Sequence, residues 1–201
     1  MKVILSTNNP AKRLEIDAIF SGSKISLISL ADAGIIGEAM EDGQTLQDNA
    51  LKKALFAWEP GRWTMSDDSG VFIDALDGKP GVDTADWHGQ KEKTNDVDRV
   101  TQWILEQLQD IKDRSATFKT VVAIISPEGE QYFFTGEMRG KILKAMQGKS
   151  RLRVPYNTIF MPDGLNKVMA EMTIEEENKI SHRGKAFTKA RGFLESLQEN
   201  M

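Results

Sequence analysis

The chain has 201 residues, 40% hydrophobic and 28% charged, with 26 basic and 30 acidic side chains. That length predicts a single domain over residues 1–201, or two lobes sharing a core, large enough to fold without staples. Zero cysteines and two histidines exclude a disulfide framework, a thiolate zinc site, a cysteine nucleophile and a multi-histidine metal site, and the net charge of -4 argues against a nonspecific polyanion binder.

In chain order, residues 2–6 form a short apolar run that suits a buried strand. The chain turns polar there, too soon for a signal peptide, and the longest apolar stretch, near residues 121–125, is too short to span a bilayer. The expectation is a cytoplasmic protein with no membrane partner. Thr7-Asn8-Asn9-Pro10 is turn chemistry, with Pro10 suited to the mouth of a helix. Leu14, Ile16, Ile19 and Phe20 predict an amphipathic helix ending near Gly22, and residues 25–30 a second strand. Thr45 is placed to cap a helix running to about Trp58, with Leu46, Ala50, Ala54 and Leu55 as its buried stripe.

A strand over residues 63–66 then meets Asp67-Asp68-Ser69-Gly70, and a further strand follows over 71–76. Residues 77–89 read as a surface loop. The spacing of Val97, Val100, Ile104 and Leu108 predicts a helix over 96–108. Residues 117–125 and 131–138 predict a hairpin around Ser126-Pro127-Glu128-Gly129. Two helices, over 173–180 and 184–197, close the chain. Strands alternating with helices early and a hairpin later predict an α/β fold with a mixed central sheet and flanking helices.

Three segments are suited to chemistry. Thr7 to Lys12, between a strand and a helix, offers free backbone N–H groups and a lysine to a phosphate, or else is a capped helix with a solvated lysine. Adjacent carboxylates at Asp67 and Asp68 repel, which a cation or a catalytic task would explain, Glu41 and Asp42 being further available acids; the alternative is an Asp-Ser-Gly turn. Ser181-His182-Arg183 at a helix entrance presents several donors to an acceptor-rich ligand edge, or is an N-cap with an incidental basic pair. Lys52 and Lys53 read as solvent-facing charges. Trp58, Trp63, Phe133 and Phe134 read as packing residues, and Trp87 and His88 in the glycine loop carry no assignment.

The order and spacing of these blocks resemble the inosine triphosphate pyrophosphatase family. The residues that carry the resemblance are Ser6-Thr7-Asn8-Asn9-Pro10-Ala11-Lys12 with Glu15, Glu41-Asp42-Gly43-Gln44-Thr45 with Asp48-Asn49-Ala50 and Lys53, Asp67-Asp68-Ser69-Gly70, Gly78-Lys79-Pro80-Gly81-Val82, and Ile180-Ser181-His182-Arg183-Gly184-Lys185-Ala186. The resemblance implies an elongated mixed-sheet fold with two lobes around a nucleotide cleft, a homodimer, and magnesium-dependent cleavage of purine nucleoside triphosphates between the α- and β-phosphates. By it, Thr7, Asn8, Asn9 and Lys12 would cradle the phosphates with Lys53, Asp68 would be the general base, and Glu41, Asp68 and Asp67 would hold the metal. Ser69 would touch substrate, and Tyr156, Asn157, Glu177, His182 and Arg183 would form the base end of the pocket. The substrates implied are ITP, dITP and XTP, removed from the nucleotide pool.

The departures cluster at the base end. Pro155 stands for a glycine, Asn157 for an aspartate and Glu177 for a lysine that Lys179 partly replaces; Thr84-Ala85-Asp86 reverses the sign of the usual Ser-Ala-Arg. A donor lost and an acceptor gained at residue 177 would weaken the preference for a keto edge. Two alternatives follow, the same reaction on an amino-bearing or modified purine, and a catalytically silent nucleotide sensor. A nucleic-acid polymer is not expected as a partner, since no basic stripe with interleaved aromatics is present.

Overall fold

In a computed structural model of the chain, which describes residues 1–84, 87, 96–150 and 154–199, the sheet has seven strands. They are β1 (Lys2–Leu5), β2 (Ser26–Ser29), β3 (Trp63–Ile73), β4 (Pro80–Gly81), β5 (Ser115–Ile125), β6 (Gln131–Ile142) and β7 (Phe160–Pro162). Their order is β2-β1-β3-β5-β6-β7, with β4 paired to β3 off this path. β1 runs parallel to β2 and β3, while the pairs made by β4 to β7 are antiparallel. This is the mixed α/β sheet that the sequence pattern predicts.

The described helices are α1 (Pro10–Phe20), α2 (Leu46–Ala57), α3 (Val97–Gln107), α4 (Ile174–Ile180) and α5 (His182–Glu199). Thr45 caps α2 as expected, in a reciprocal box in which its hydroxyl accepts from Asp48 N and Asp48 accepts from Thr45 N, each at 3.1 Å. The α2 stripe is rotated from the one expected: Leu55 is exposed, and Asn49 and Ala57 are buried instead. Leu14 on α1 is exposed as well. Both apolar side chains point away from the sheet, where helical periodicity alone does not assign a face.

Two other expectations are corrected. No turn interrupts residues 63–73: β3 continues through Asp67-Asp68-Ser69-Gly70 to Ile73, because every residue from Thr64 to Ile73 finds a ladder partner on β5, whereas Asp74–Leu76, expected as strand, form a 3₁₀ turn. The stretch read as a loop after residue 76 contains β4, which pairs through Gly81 and Pro80 with Val71 and Phe72. The hairpin is longer than predicted, closing at the expected turn where Ser126 N donates to Glu130 O at 2.8 Å. Of the residues singled out above, 85, 86, 88 and 89 lie outside the described residues.

Among the described residues two smaller apolar clusters pack around α2, and the two larger ones sit at opposite ends of the long strands β3, β5 and β6. One gathers Val3, Leu5, Ile16, Met65, Val122, Ile124, Phe187 and Leu194 between the sheet, α1 and α5. The other gathers Val71, Ile73, Ile104, Leu108, Phe118, Met138, Tyr156 and Phe160 around α3. These are the two lobes. The lobes join through shared strands, so the cleft between them is walled by rigid backbone rather than by a linker.

Candidate active site

β1 ends at Leu5, whose ladder partner on β3 is Met65. Beyond that point the β1 side of β3 has no strand beside it until β4 pairs with Val71 and Phe72, and the gap opens a crevice outside the carboxyl end of a parallel strand, a position open α/β sheets favour for ligands. A cavity of about 350 Å³ fills it. One wall is Ser6, Thr7, Asn8, Asn9 and Lys12, from the β1–α1 turn; the floor is Asp67, Asp68 and Ser69; Glu41, Asn49 and Lys53 face them from α2 and the loop before it. The far end is apolar, with Phe118, Val154, Pro155 and Met169, and is joined by His182 and Arg183 at the start of α5.

The strand pleat explains how two adjacent carboxylates coexist. Successive side chains on β3 point to opposite faces. Asp67 turns toward α1 and α5, where it accepts from Lys12 Nζ at 2.8 Å and from Ser69 Oγ at 3.2 Å and lies 3.7 Å from Arg183 Nε. Asp68 turns toward α2, where it meets Lys53 Nζ at 2.7 Å and Asn49 Nδ2 at 3.4 Å. Lys53 also bonds Glu41 at 2.8 Å. Each carboxylate is therefore buried on its own side with its own cation, and the repulsion expected from the sequence is screened by two lysines.

The two acids differ electrostatically. Burial would raise the Asp67 pKa, but Lys12, Arg183 and Lys53 overcome it and hold the carboxyl well below the usual range. Burial raises the Asp68 pKa despite Lys53 and Lys12, with the Glu41 charge adding to the rise. Lys53 loses charge stability to burial and regains more from Asp68, Asp67 and Glu41, so it stays protonated. A second ion pair lies behind Asp67: Arg183 Nη1 donates to Glu15 at 2.5 Å, and both residues are buried. Burial would lower the Arg183 pKa, but Glu15, Asp67 and the more remote Glu177 raise it.

The α1 entrance combines both readings weighed for it. Asn9 Oδ1 caps the helix, accepting from Ala11 N at 3.0 Å and Lys12 N at 3.3 Å, so two of the free N–H groups are already satisfied. Lys12, however, is no solvated lysine but the partner of Asp67. Lys53 likewise is not solvent-facing, whereas Lys52 is, pairing with Asp42 at 2.6 Å on the surface. At α5, Ser181 Oγ accepts from Gly184 N at 2.9 Å as an N-cap, and the next two residues face the cavity. His182 stacks on Phe118 with ring centroids 4.7 Å apart and planes at 23°. Burial, and then the Arg183 charge, push its pKa well below 6.5, so it is neutral.

Thr7, Asn8, Asn9, Lys12, Glu41, Lys53, Asp67, Asp68, Ser69, His182 and Arg183 thus converge on one cavity, while Tyr156, Asn157 and Glu177 do not line it. Tyr156 is fully buried and its phenol donates to Thr84 O at 2.8 Å, bracing the cavity wall from behind. Asn157 and Glu177 are buried outside the cavity lining, and Lys179 is exposed and also outside it, so it does not replace a lysine at 177. Asn49 and Phe118 were not assigned roles from sequence. Asn49 was findable, as a polar residue one turn before Lys53 on the buried stripe of α2; Phe118, in an ordinary strand pattern, carried no signal.

The donor set suits a hard cation of oxygen ligands. Asp67 Oδ1 is buried with no hydrogen-bond partner, and Asp68 Oδ2 has only the long contact from Asn49. As the side chains stand, no three carboxylates or histidines converge closely enough to hold a metal among the described residues, since Lys53 separates Glu41 from Asp68. Oxygen ligands for such a cation are present in Asp67, Asp68 and Glu41, with Lys12 and Lys53 in contact with them.

A sequence profile describing the Ham1 family matches residues 3–193. The chain belongs to the Ham1 family. It is 37% identical over 203 residues to a protein of Caldanaerobacter subterraneus subsp. tengcongensis named dITP/XTP pyrophosphatase, with 100% of each chain covered. It is 38% identical to a protein of the same name from Geobacter sulfurreducens, with 92% of each covered. Its fold matches the Staphylococcus aureus Ham1 protein with a TM-score of 0.84 at 28% identity, covering 98% of this chain and 100% of that one. A nucleoside-triphosphatase, dITP/XTP pyrophosphatase, from Mycobacterium abscessus matches at a TM-score of 0.73 and 35% identity, with 94% and 98% covered. Among the described residues of this Ham1 protein, no helix is long and apolar enough to cross a membrane.

Proposed function

We propose that this protein is a magnesium-dependent nucleoside triphosphate pyrophosphohydrolase acting on dITP, ITP and XTP, and that it yields the monophosphate and pyrophosphate. The observation that carries the reading is the meeting, in one cavity, of a helix entrance with two lysines and of a buried acidic pair whose members are tuned in opposite directions. The names of the full-length relatives support the substrate class.

Lys12, Lys53 and the turn at Thr7 to Asn9 hold the triphosphate tail. Asp68 orients a water toward the α-phosphorus and takes its proton as the new P–O bond forms and the bond to the bridging oxygen of the β-phosphate breaks. A raised pKa suits Asp68 to that task, while Asp67, pinned by Lys12 and Arg183, keeps its charge. Asp68, Glu41 and Asp67 would hold magnesium, which would supply positive charge to the phosphate oxygens. The apolar end, with Phe118 and Met169, receives the base, and neutral His182 offers it one donor or one acceptor. The protein acts as a cytoplasmic homodimer in this reading.

Hydrolysis in ¹⁸O-labelled water tests the reaction: attack at the α-phosphorus places the label in the monophosphate, and label found in pyrophosphate overturns the assignment. A second reading, a shifted base preference, is favoured by one observation. The charge of every lysine and arginine lining the cavity among the described residues, Lys12, Lys53 and Arg183, is already balanced by a carboxylate, so no uncompensated positive charge faces a keto oxygen. The ratio of kcat/KM values for inosine, xanthosine, adenosine and guanosine triphosphates decides between the two; a strong preference for inosine and xanthosine refutes the shift.

A further inference from the structure

The groups assigned to the metal and the groups assigned to the phosphates hold one another. Lys12 Nζ sits 2.8 Å from Asp67, and Lys53 Nζ sits 2.7 Å from Asp68 and 2.8 Å from Glu41. These are not surface pairs that solvent screens: the Asp67 and Asp68 side chains are 1% and 9% exposed and the two lysines 17% and 12%. A cation approaching the carboxylates must displace an ammonium already in contact with them. A polyphosphate approaching the lysines must likewise displace carboxylates.

We propose that these two lysine–carboxylate contacts are a charge lock, so that the site refuses a divalent cation alone and a polyphosphate alone, and accepts the two together by exchange of partners. When both arrive, the lysines move from carboxylate to phosphate, the carboxylates move from lysine to cation, and no buried charge is left unpaired at any stage. When one arrives alone, it strands either two ammonium groups or the buried Asp68, and leaves Asp67 with Arg183 as its one cation. The coupling is reciprocal: the factor by which the cation strengthens polyphosphate binding equals the factor by which the polyphosphate strengthens cation binding. The proposal rests on the reading of this cavity as a triphosphate site, and it gives Lys12 and Lys53 a second role, as competitors of the metal.

The test uses the full-length chain, Mn²⁺ as the cation read by its electron paramagnetic resonance signal, and inorganic tripolyphosphate read by calorimetry, so that neither base recognition nor turnover enters. Lys53→Met and Lys12→Met are expected to bind Mn²⁺ alone at least about tenfold more tightly than the parent chain, since close desolvated charge pairs couple by more than the 1.4 kcal/mol that tenfold represents. The gained site disappears when Asp68→Asn is added. In the opposite arm, with chelator present, Asp68→Asn is expected to bind tripolyphosphate about tenfold more tightly than the parent, because Lys53 loses its buried carboxylate partner and keeps the more exposed Glu41. A lysine that only binds phosphate leaves Mn²⁺ affinity unchanged, and that result overturns the lock. Tight Mn²⁺ binding by the parent chain in the absence of polyphosphate overturns it as well. Failure of tripolyphosphate to bind any variant even with Mg²⁺ present overturns instead the reading of the cavity as a phosphate site.

Discussion

Asp67 and Asp68 are neighbours in sequence and chemically identical, yet their removal should have opposite signatures. Asp68→Asn takes away the proposed proton acceptor, and loss of a general base costs about 10²–10⁴ in rate, or roughly 3–5.5 kcal/mol of barrier. Its structural cost is small: Lys53 keeps Glu41 at 2.8 Å, and an asparagine oxygen still accepts from Asn49. Asp67→Asn strands more charge. Lys12 loses its partner at 2.8 Å, Arg183 keeps only the Glu15 contact, and Ser69 loses an acceptor. Breaking a buried pair by deleting one member costs about 3–5 kcal/mol. For a chain of this size that is a fall in Tm of about 6–20 °C.

The assay is pyrophosphate release under saturating nucleotide and magnesium, beside thermal unfolding of each variant. Asp68→Asn is expected to lose at least about 100-fold in kcat with Tm within a few degrees of the parent. Asp67→Asn is expected to lose most in Tm. If Asp68→Asn retains kcat within about fivefold, far less than general-base removal costs, the base lies elsewhere and the reasoning from the opposed pKa directions fails.

Three further outcomes follow from the packing. Gly136→Ala should destabilise by about 1–3 kcal/mol, because a methyl there meets the His182 carbonyl and Ala186 N where α5 crosses β6; an unchanged denaturation midpoint would refute that close approach. Thr45→Ala should cost about 1 kcal/mol through loss of the α2 capping box, read as a Tm lower by about 2–4 °C, and a Tm equal to the parent's would contradict it. Because His182 is neutral in the folded chain and titrates near 6.5 when unfolded, its proton favours the unfolded state below that pH. Its contribution is complete above pH 6.5 and is lost as pH falls, by about 2 kcal/mol at pH 5. The Tm advantage of the parent over His182→Asn should therefore shrink between pH 7.5 and pH 5, and a constant difference would show that the imidazole is protonated when folded.

How much of this was readable beforehand depended on whether the deciding contact was local. The α2 cap, the hairpin turn and the Pro10 helix entrance are set by residues within four positions of one another, and all three were predicted. The continuity of β3 was not, because Asp-Asp-Ser-Gly has the local chemistry of a turn and only pairing with β5, some fifty residues away, holds it extended. The same non-local cause explains Lys12 and Lys53. Sequence gives a lysine its charge but not its partner, and here the partners are 55 and 15 residues away on β3.

The end of the strand was read correctly in its consequence and wrongly in its identity. Two acids after an apolar run were expected to mark where β3 stops and a ligand begins. It is β1 that stops, at Leu5, and the acids lie at the level where its pairing with β3 has run out. That arrangement explains why a strained acidic pair is tolerable inside a continuous strand. The missing neighbour leaves room on both faces, the pleat sends one carboxylate to each, and α1 and α2 each lower a lysine from opposite sides to meet it. A pair displaced by two residues toward Met65 would lie beneath β1, with no cavity and no access for either lysine. The site therefore depends less on the identity of the four-residue motif than on the register between a four-residue strand and the eleven-residue strand beside it.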